Sequence, residues 1–423
     1  MDRRHPWLRA LFVLLLLAGV GKGLRDMRHE VEHADDPGRP ATSGALFDFR
    51  DTVYNPSHDL FAGDNPYDTA TYLRRHQGTQ EFDAYAPSWF VVAVPFALPP
   101  YHVAQVIWWF GLVAGVALLG WVSLRLAEVA VDGWRVAGIT GALLLAVPGQ
   151  EIMRNGQVAF VFAAVLVGVL AWWRRAPWLA GAGLALLASK PQWLLPVFLC
   201  IAVGLGAWRL IGRAVVIVAV ATIVPIVALV VAAGGVGDLV QSISDNLDYS
   251  SKTQNDLGPA SEVLRIDVLN VIGKLELARP TSAWQVGAFV VVMAVALVAL
   301  RGFRGGNQAA VLPMTIIATA TIACLPHYRY DIVLVVPALI VLLAGARGAS
   351  ELAPFVRLSL IALMAAPVLY VYQVDQLMGR IGVSSGLRQA FISLCVITAF
   401  VVAASAALGD ASVNRRRATA AVD

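Results

Sequence analysis

The sequence predicts an all-α polytopic membrane protein with about twelve transmembrane helices and two larger extracytoplasmic loops. Three observations predict it. First, 58% of the 423 residues are hydrophobic and only 14% are charged, against roughly 25% charged in soluble domains. Second, the mean hydropathy is +0.69 over the whole length. One anchor cannot produce that value, and a soluble domain of this size has no single core able to hide so much apolar surface. Third, the basic residues fall in small groups between apolar runs, as membrane topology requires. At this hydropathy only helices satisfy the backbone in lipid.

The elements follow from the bilayer, whose hydrocarbon core, about 30 Å thick, asks for about 20 apolar residues per helix. After Arg3, Arg4 and His5, the run from Trp7 to Val20 is apolar except for Arg9. Its layout resembles a signal peptide, but no clear small-x-small cleavage site precedes the polar segment, so it reads as an uncleaved first span. The expected spans are 7–23, 86–100, 102–124, 134–149, 156–173, 177–203, 211–233, 282–300, 309–325, 331–346, 355–373 and 387–408. Arg3 and Arg4, Arg209 and Arg213, Arg301 and Arg304, Arg347 and Arg357, and Arg415 to Arg417 then fall on one side. Lys and Arg mark the cytoplasmic side. The reading is a multi-pass cell-membrane protein with both termini cytoplasmic. Residues 1–408 form one transmembrane domain and 409–423 a basic cytoplasmic tail.

Two polar segments fall outside, at about 24–85 and 234–282. Loops of that length usually carry function. Within the first, Thr69 to Gln77 is amphipathic enough to lie along a membrane surface. One pair resists the count: Arg174 and Arg175 land outside. Breaking 177–203 at Lys190-Pro191 into two short crossings returns them to the inside, provided that 86–100 re-enters without crossing.

Composition also excludes. A net charge of +4 with dispersed basic residues argues against nucleic-acid binding. Cys200, Cys324 and Cys395 are far apart in or beside apolar runs, so neither a disulfide framework nor a metal cluster is expected. The second loop holds Asp245, Asn246, Asp248, Asn255, Asp256 and Asp267, at spacings that do not make a Ca²⁺ loop. It reads as acceptor-facing or partly mobile. No metal and no cofactor are expected. There is no convincing internal repeat, which weakens a transporter reading.

The first outer loop is the most informative segment. It contains Phe47-Asp48-Phe49-Arg50-Asp51-Thr52-Val53-Tyr54-Asn55-Pro56 and Leu60-Phe61-Ala62-Gly63-Asp64-Asn65-Pro66-Tyr67-Asp68. Acids sit among aromatic residues near the outer end of the first span. Glycosyl transfer to a hydroxyl needs a general base within about 3 Å of the acceptor oxygen. A phosphate leaving group needs cations or hydrogen-bond donors for its developing charge. An acid and a phosphate clamp on one membrane face are the minimum for such chemistry, although any single loop Asp is more often a solvated turn or a helix cap.

Asp48-Phe49-Arg50, Pro56 and Gly63-Asp64-Asn65-Pro66-Tyr67 resemble the first-loop pattern of glycosyltransferase family 87, whose members include membrane mannosyltransferases that use polyprenyl-phosphate sugars. Tyr85-Ala86-Pro87, Asn155-Gly156-Gln157 and Lys190-Pro191 are similar to its later pattern. The series covers most of the chain in order. Each motif is weak alone; order and spacing carry the specificity. The resemblance implies a GT-C-type fold and inverting transfer of a hexose, most readily mannose, from a polyprenyl-phosphate donor. The acceptor is a glycolipid or glycan, and the active site is extracytoplasmic. It also implies an essential acid in the first loop, which Asp48 matches best. Asp51, three residues on, shares its face if the segment is helical, and is its partner or the base itself.

Other residues complete the candidate set. Lys190 lies in an otherwise mostly apolar run from Trp178 to Val203; a lysine at that depth is paired or functional, here as a contact to the donor phosphate, unless it snorkels to an interface. Asn65, Tyr67 and Tyr85 are sugar-contact candidates, with a structural role equally open for Asn65 and Tyr67. Gly63 and Pro66 shape a turn. Gln157 opens a span whose terminal amides can hold an anion, but the twelve-span count puts it inside, away from the first loop. Pro326-His327-Tyr328-Arg329-Tyr330-Asp331 is dense in polar chemistry for so short a connection. His327 can relay a proton or bind sugar, and can meet Asp331 at i, i+4. Arg329 can clamp phosphate, and the tyrosines suit an interface belt. The alternative readings are a transporter or flippase for a lipid-linked or small polar substrate, and a non-catalytic membrane scaffold.

Overall fold

The computed structural model describes residues 6–32, 46–76, 82, 85–254, 265–304, 310–370 and 372–420. Arg3, Arg4, His5, Gln77, Asn255 and Asp256 lie outside the described residues. Among the described residues the chain is helical throughout, and the one β-bridge joins Arg265 to Tyr328. The helices are α1 (Pro6–Glu32), α2 (Phe47–Phe49), α3 (Asn55–Phe61), α4 (Thr69–Arg75), α5 (Trp89–Ala97), α6 (Tyr101–Leu126) and α7 (Gly133–Leu145). Next come α8 (Val147–Asn155), α9 (Ala159–Trp172), α10 (Pro177–Leu187), α11 (Pro191–Leu199), α12 (Trp208–Ala233), α13 (Val236–Gln254) and α14 (Val268–Lys274). The chain ends with α15 (Ser282–Leu300), α16 (Val311–Cys324), α17 (Val336–Ala344), α18 (Pro354–Val368), α19 (Tyr372–Arg380) and α20 (Ser385–Ala420).

Five of these hold segments long and apolar enough to cross a membrane: Pro6–Arg28, Tyr101–Leu126, Trp208–Ala233, Ala283–Phe303 and Ser385–Gly409. The rest of the apolar sequence is in shorter helices, and proline is the reason. Pro148 has no N–H to give and its ring opposes the carbonyl four residues back. The helix therefore stops at Leu145, passes through an extended Ala146, and resumes as α8 after a 79° bend. Lys190 is driven to extended backbone by Pro191, which separates α10 from α11. Pro95 lies within α5, and Pro99 and Pro100 end the stretch after it. Of the short helices, α16 sits inside the bundle, with all fourteen of its residues buried. Interrupted backbone at membrane depth is tolerated where protein surrounds it.

These breaks correct the expected path through the first half. Helix α5 has nine residues, about 13 Å of rise. Both of its ends meet the first-loop helices: the Trp89 indole donates to the Thr52 carbonyl at 2.8 Å and the Tyr54 hydroxyl to the Pro99 carbonyl at 3.4 Å. The segment 86–100 thus enters and leaves at one end of the bundle. Helix α6 starts there, since the Trp108 indole donates to the Gly156 carbonyl at 2.8 Å. It finishes at the other end, where Arg347 donates to the Leu126 carbonyl at 3.0 Å. Trp172, at the end of α9, lies 6.2 Å from Trp121 of α6. Arg174 and Arg175 therefore share the far end with Arg125 and Arg347, and α10 returns to the first-loop end, where the Ser189 carbonyl accepts from the Ala86 amide at 2.9 Å. Within the bundle these contacts are in line with the alternative path that the two arginines suggested.

Small residues allow the closest helix approach. Helix α1 runs parallel to α7, with Gly138 against Phe12, Gly141 against the Leu15–Leu16 backbone and Gly19 against Leu144. This is the small-residue interface that membrane helices use where no hydrophobic force drives them together.

Candidate active site

The end of the bundle that carries α2 to α4 collects the buried polar groups. Residues 47–61 form one helical rod whose middle, Arg50–Tyr54, is wound as a π-helix. Such segments are rare and frequent at functional sites. The rod is anchored at its start by the Leu46 amide, which donates to the Arg154 carbonyl at 2.6 Å. Gly156 closes α8 at φ +85°, and a Cβ built on it would lie 2.9 Å from the Phe49 Cβ. Glycine is therefore needed there both for the left-handed turn and for close approach.

This docking brings Gln157 onto Asp48: the amide nitrogen donates to Asp48 Oδ2 at 2.5 Å, with both side chains buried. Gln157 thus shares an end with the first loop, which overturns its placement on the opposite side by the span count. The physical reason is the bend at α8, together with the failure of α5 to cross.

Lys190 is 4% exposed. Its Nζ lies 3.9 Å from Asp331 Oδ1 and 5.4 Å from the centre of the Tyr330 ring. Asp331 Oδ2 is 2.8 Å from His327 Nδ1, so the i, i+4 pair meets. It does so around the first turn of a 3₁₀ segment at Arg329–Val335, with the Asp331 amide donating to the Tyr328 carbonyl. Tyr330 lies within electrostatic range of both Asp331 and Asp48. The Trp193 ring lies edge-on to His327 at 6.1 Å. Four buried polar atoms in this neighbourhood, Gln157 Oε1, Trp193 Nε1, His327 Nε2 and Asp331 Oδ1, have no hydrogen-bond partner. Buried polar atoms are usually bonded; these four have hydrogen-bonding capacity left over.

Asp51 belongs to a different neighbourhood. It receives a bidentate pair from Arg50, at 2.6 and 3.0 Å, and its carbonyl accepts from the Tyr72 hydroxyl at 3.0 Å. The π-turn swings it off the face that Asp48 presents to Gln157. Arg329 pairs with Glu151 of α8 and so ties the 3₁₀ segment to that helix. Asn65 accepts from the Tyr67 amide at 3.1 Å, and the buried Tyr67 hydroxyl donates to the Tyr85 carbonyl at 2.5 Å. Burial pushes the Tyr67 phenol well above its ordinary range, so it stays a donor. Asn65 and Tyr67 hold the loop inward. Tyr85 is buried and stacked on Trp89 at 4.7 Å.

The second loop braces the site from behind. The Ile266 amide donates to the His327 carbonyl at 2.8 Å. Arg265 pairs with Asp267 at 2.7 Å and donates to Gln285, which in turn donates to the Cys324 carbonyl. Asp267 caps α14 through the Asn270 amide at 3.0 Å. Burial pushes the Asp267 carboxyl up, against the pull of Arg265. Three groups escaped the sequence reading as site members: Asp331 as the partner of Lys190, Glu151, and Trp193. A buried lysine announces that some acid must answer it, but 141 positions separate the two and nothing local names the acid.

The model of glycosyltransferase family 87 matches residues 84–326, more than half of the chain. The matched stretch contains Tyr85, Gln157 and Lys190 and stops one residue before His327; Asp48 and Asp51 precede it. No curated protein and no solved structure matches the chain. The family match, on an all-helical bundle with several helices able to cross a membrane, makes this chain a member of glycosyltransferase family 87.

Proposed function

We propose that this glycosyltransferase transfers a hexose, most readily mannose, from a polyprenyl-phosphate donor to a hydroxyl of a glycolipid or glycan, with inversion, on the extracytoplasmic face. The observation that carries the reading is the meeting of Asp48 with Gln157 at the same end of the bundle as Lys190, Asp331 and His327. That end is opposite the one where Arg125, Arg174, Arg304 and Arg347 gather. By the rule that Lys and Arg mark the cytoplasmic side, the Asp48 end faces outward. Twelve passages with both termini inside remain the topology, with α5 re-entrant and α10 and α11 as separate short passages.

In the mechanism Asp48 is the general base, oriented by Gln157. It takes the proton of the acceptor hydroxyl as that oxygen attacks the anomeric carbon from the face opposite phosphate. The bond from the anomeric carbon to the phosphate oxygen breaks, and the electron pair leaves with the phosphate, whose charge Lys190 receives. His327 binds a sugar hydroxyl through Nε2, its Nδ1 being held by Asp331. Asp51 and Arg50 keep the π-turn wound. Surrounding lipid delivers the donor laterally, and no cofactor enters. Reconstituted protein given radiolabelled polyprenyl-phosphate mannose should lose transfer by about 10²-fold or more on Asp48→Asn, the range general-base catalysis contributes. Undiminished transfer by that variant would remove the base assignment.

A further inference from the structure

We infer that Tyr330 positions the Lys190 ammonium through the face of its ring, so that the charge is held in place while its N–H donors stay available to an anionic oxygen. The inference rests on the proposed role of Lys190 at a donor phosphate and goes beyond it to the residue that makes that role geometrically feasible.

A buried ammonium normally secures itself by direct hydrogen bonds to a carboxylate. Lys190 does not: its nearest acid oxygen, Asp331 Oδ1, is 3.9 Å away, beyond hydrogen-bond reach. The other carboxylate oxygen of Asp331 is engaged by His327 at 2.8 Å. The remaining partner of Lys190 is the Tyr330 ring, 5.4 Å from Nζ to the ring centre, within the distance at which a cation is drawn to an aromatic face. An aromatic face differs from a carboxylate in one useful respect. It attracts the charge as a whole and accepts no particular N–H. An ammonium has three donors, and one held in this way keeps them for a ligand.

The ring is itself fixed. Tyr330 is buried, packs on Tyr328 with ring centres 5.6 Å apart, and sits on the 3₁₀ segment that also carries Asp331, so both partners of Lys190 come from adjacent residues of one rigid turn. Backbone Lys190 is set independently, by the break at Pro191. The sequence reading of Tyr330 as an interfacial anchor does not fit a residue whose side chain is turned into the protein beneath a buried cation.

The test is a graded one. Position 330 is replaced by Phe, by Leu, and by phenylalanines carrying one, two and three ring fluorines, which keep the shape and progressively empty the ring face. Two readouts are taken on detergent-purified protein: the binding preference for farnesyl phosphate over farnesol, and KM against kcat for a polyprenyl-phosphate sugar. Tyr330→Phe should keep the phosphate preference within about 3-fold. Tyr330→Leu should lower it on the order of 10-fold, and the fluorinated series should fall stepwise between them, in line with the strength of desolvated cation–π pairs. KM for the donor should rise in the same order with kcat changed less. If the wild type prefers the phosphate but the fluorinated variants all bind alike, the ring has no such role. If the wild type shows no phosphate preference, the assignment of Lys190 to a phosphate fails first, and the inference with it. A Leu variant that fails to fold leaves the fluorinated series to decide.

Discussion

The Lys190–Asp331 pair allows the most direct energetic test of the site. Asp331→Asn removes the charge but keeps an oxygen able to accept from His327 Nδ1, so the loss falls on Lys190. At 3.9 Å and an effective dielectric of about 20 the attraction is about 4 kcal/mol. Both partners are almost completely buried, so water does not replace what is lost. Removing one partner of a buried pair costs about 3–5 kcal/mol, because the other charge is left uncompensated. Lys190→Met should cost a similar amount for the complementary reason. The double variant should cost far less than the sum, since replacing both members with groups of similar volume is often close to neutral.

The magnitudes are read from a double-mutant cycle. Folded fraction is followed by tryptophan fluorescence during sodium dodecyl sulfate titration in mixed micelles. The chain has 12 tryptophans, and buried Trp193 lies against His327. The expected coupling is therefore most of the sum of the two single costs. Single costs below about 1 kcal/mol that add within about 0.5 kcal/mol, the behaviour of independent sites, would refute the argument. Lys190 would then be solvated in the membrane-bound protein, and neither its partnership with Asp331 nor its poise for a phosphate would stand.

Three further outcomes follow from the geometry. Gly156→Ala forces a Cβ to 2.9 Å from Phe49 at φ +85°; it should cost more than about 1 kcal/mol and lower turnover by parting Gln157 from Asp48, checked by the same titration and by transfer assays. Asp68 caps α4 by accepting from the Thr71 amide at 3.1 Å and the Thr71 hydroxyl at 2.6 Å. Its partial burial raises the carboxyl, but the two Thr71 bonds and Arg74 outweigh this and hold it below its ordinary value of 3.8. The cap's stabilisation is thus fully present above that value and lost as pH falls through the lower folded one. Protection of the Thr71 amide from hydrogen exchange should drop over that acid window in the wild type and be low at all pH in Asp68→Ala. For topology, Arg174→Cys and Arg301→Cys should react with an impermeant maleimide from one side of sealed vesicles and Leu277→Cys from the other. Opposite labelling of the two arginine positions would restore straight crossings at 86–100 and 177–203.

Much of this arrangement was legible in the sequence, and what was hidden had a common cause. Hydropathy located the apolar runs, because burying a helix in lipid needs only composition and length. Asp48, Lys190, His327 and Gln157 stood out as polar residues in the wrong company, and the structure gathers them at one end. What composition does not encode is the path between runs. Residues 86–100 and 177–203 score as crossings, yet Pro99, Pro100 and Pro191 break the rods, and proline's effect is on geometry rather than on hydropathy. Partner identity was hidden for a different reason. Asp331 for Lys190 and Glu151 for Arg329 are selected by three-dimensional proximity across 141 and 178 positions. The Asp48–Asp51 spacing misled in a third way: an i, i+3 pair shares a face only on an α-helix, and the π-turn at Arg50–Tyr54 changes the angular step.

The residues that defeated a count of straight spans are the ones that build the site, and there is a physical reason for the coincidence. A continuous membrane helix satisfies its own backbone and presents only side chains along its flank, so it cannot aim a polar group along the membrane normal at a shared point. A helix that ends within the bundle can. Gln157 follows the end of α8, Lys190 stands at the α10–α11 break, Asp331 lies in the 3₁₀ entry to α17, and Asp48 begins a rod with a π-wound middle. Each interruption releases backbone groups that must be satisfied locally, here by contacts such as Ala86 with Ser189 and Trp108 with Gly156. Those contacts lock the interrupted ends to one another. The cost of breaking the helices and the rigidity of the polar cluster are therefore two aspects of one arrangement, and straightening any break, for example by Pro191→Ala with Lys190 retained, should loosen Lys190 from Asp331 before it disturbs the surrounding bundle.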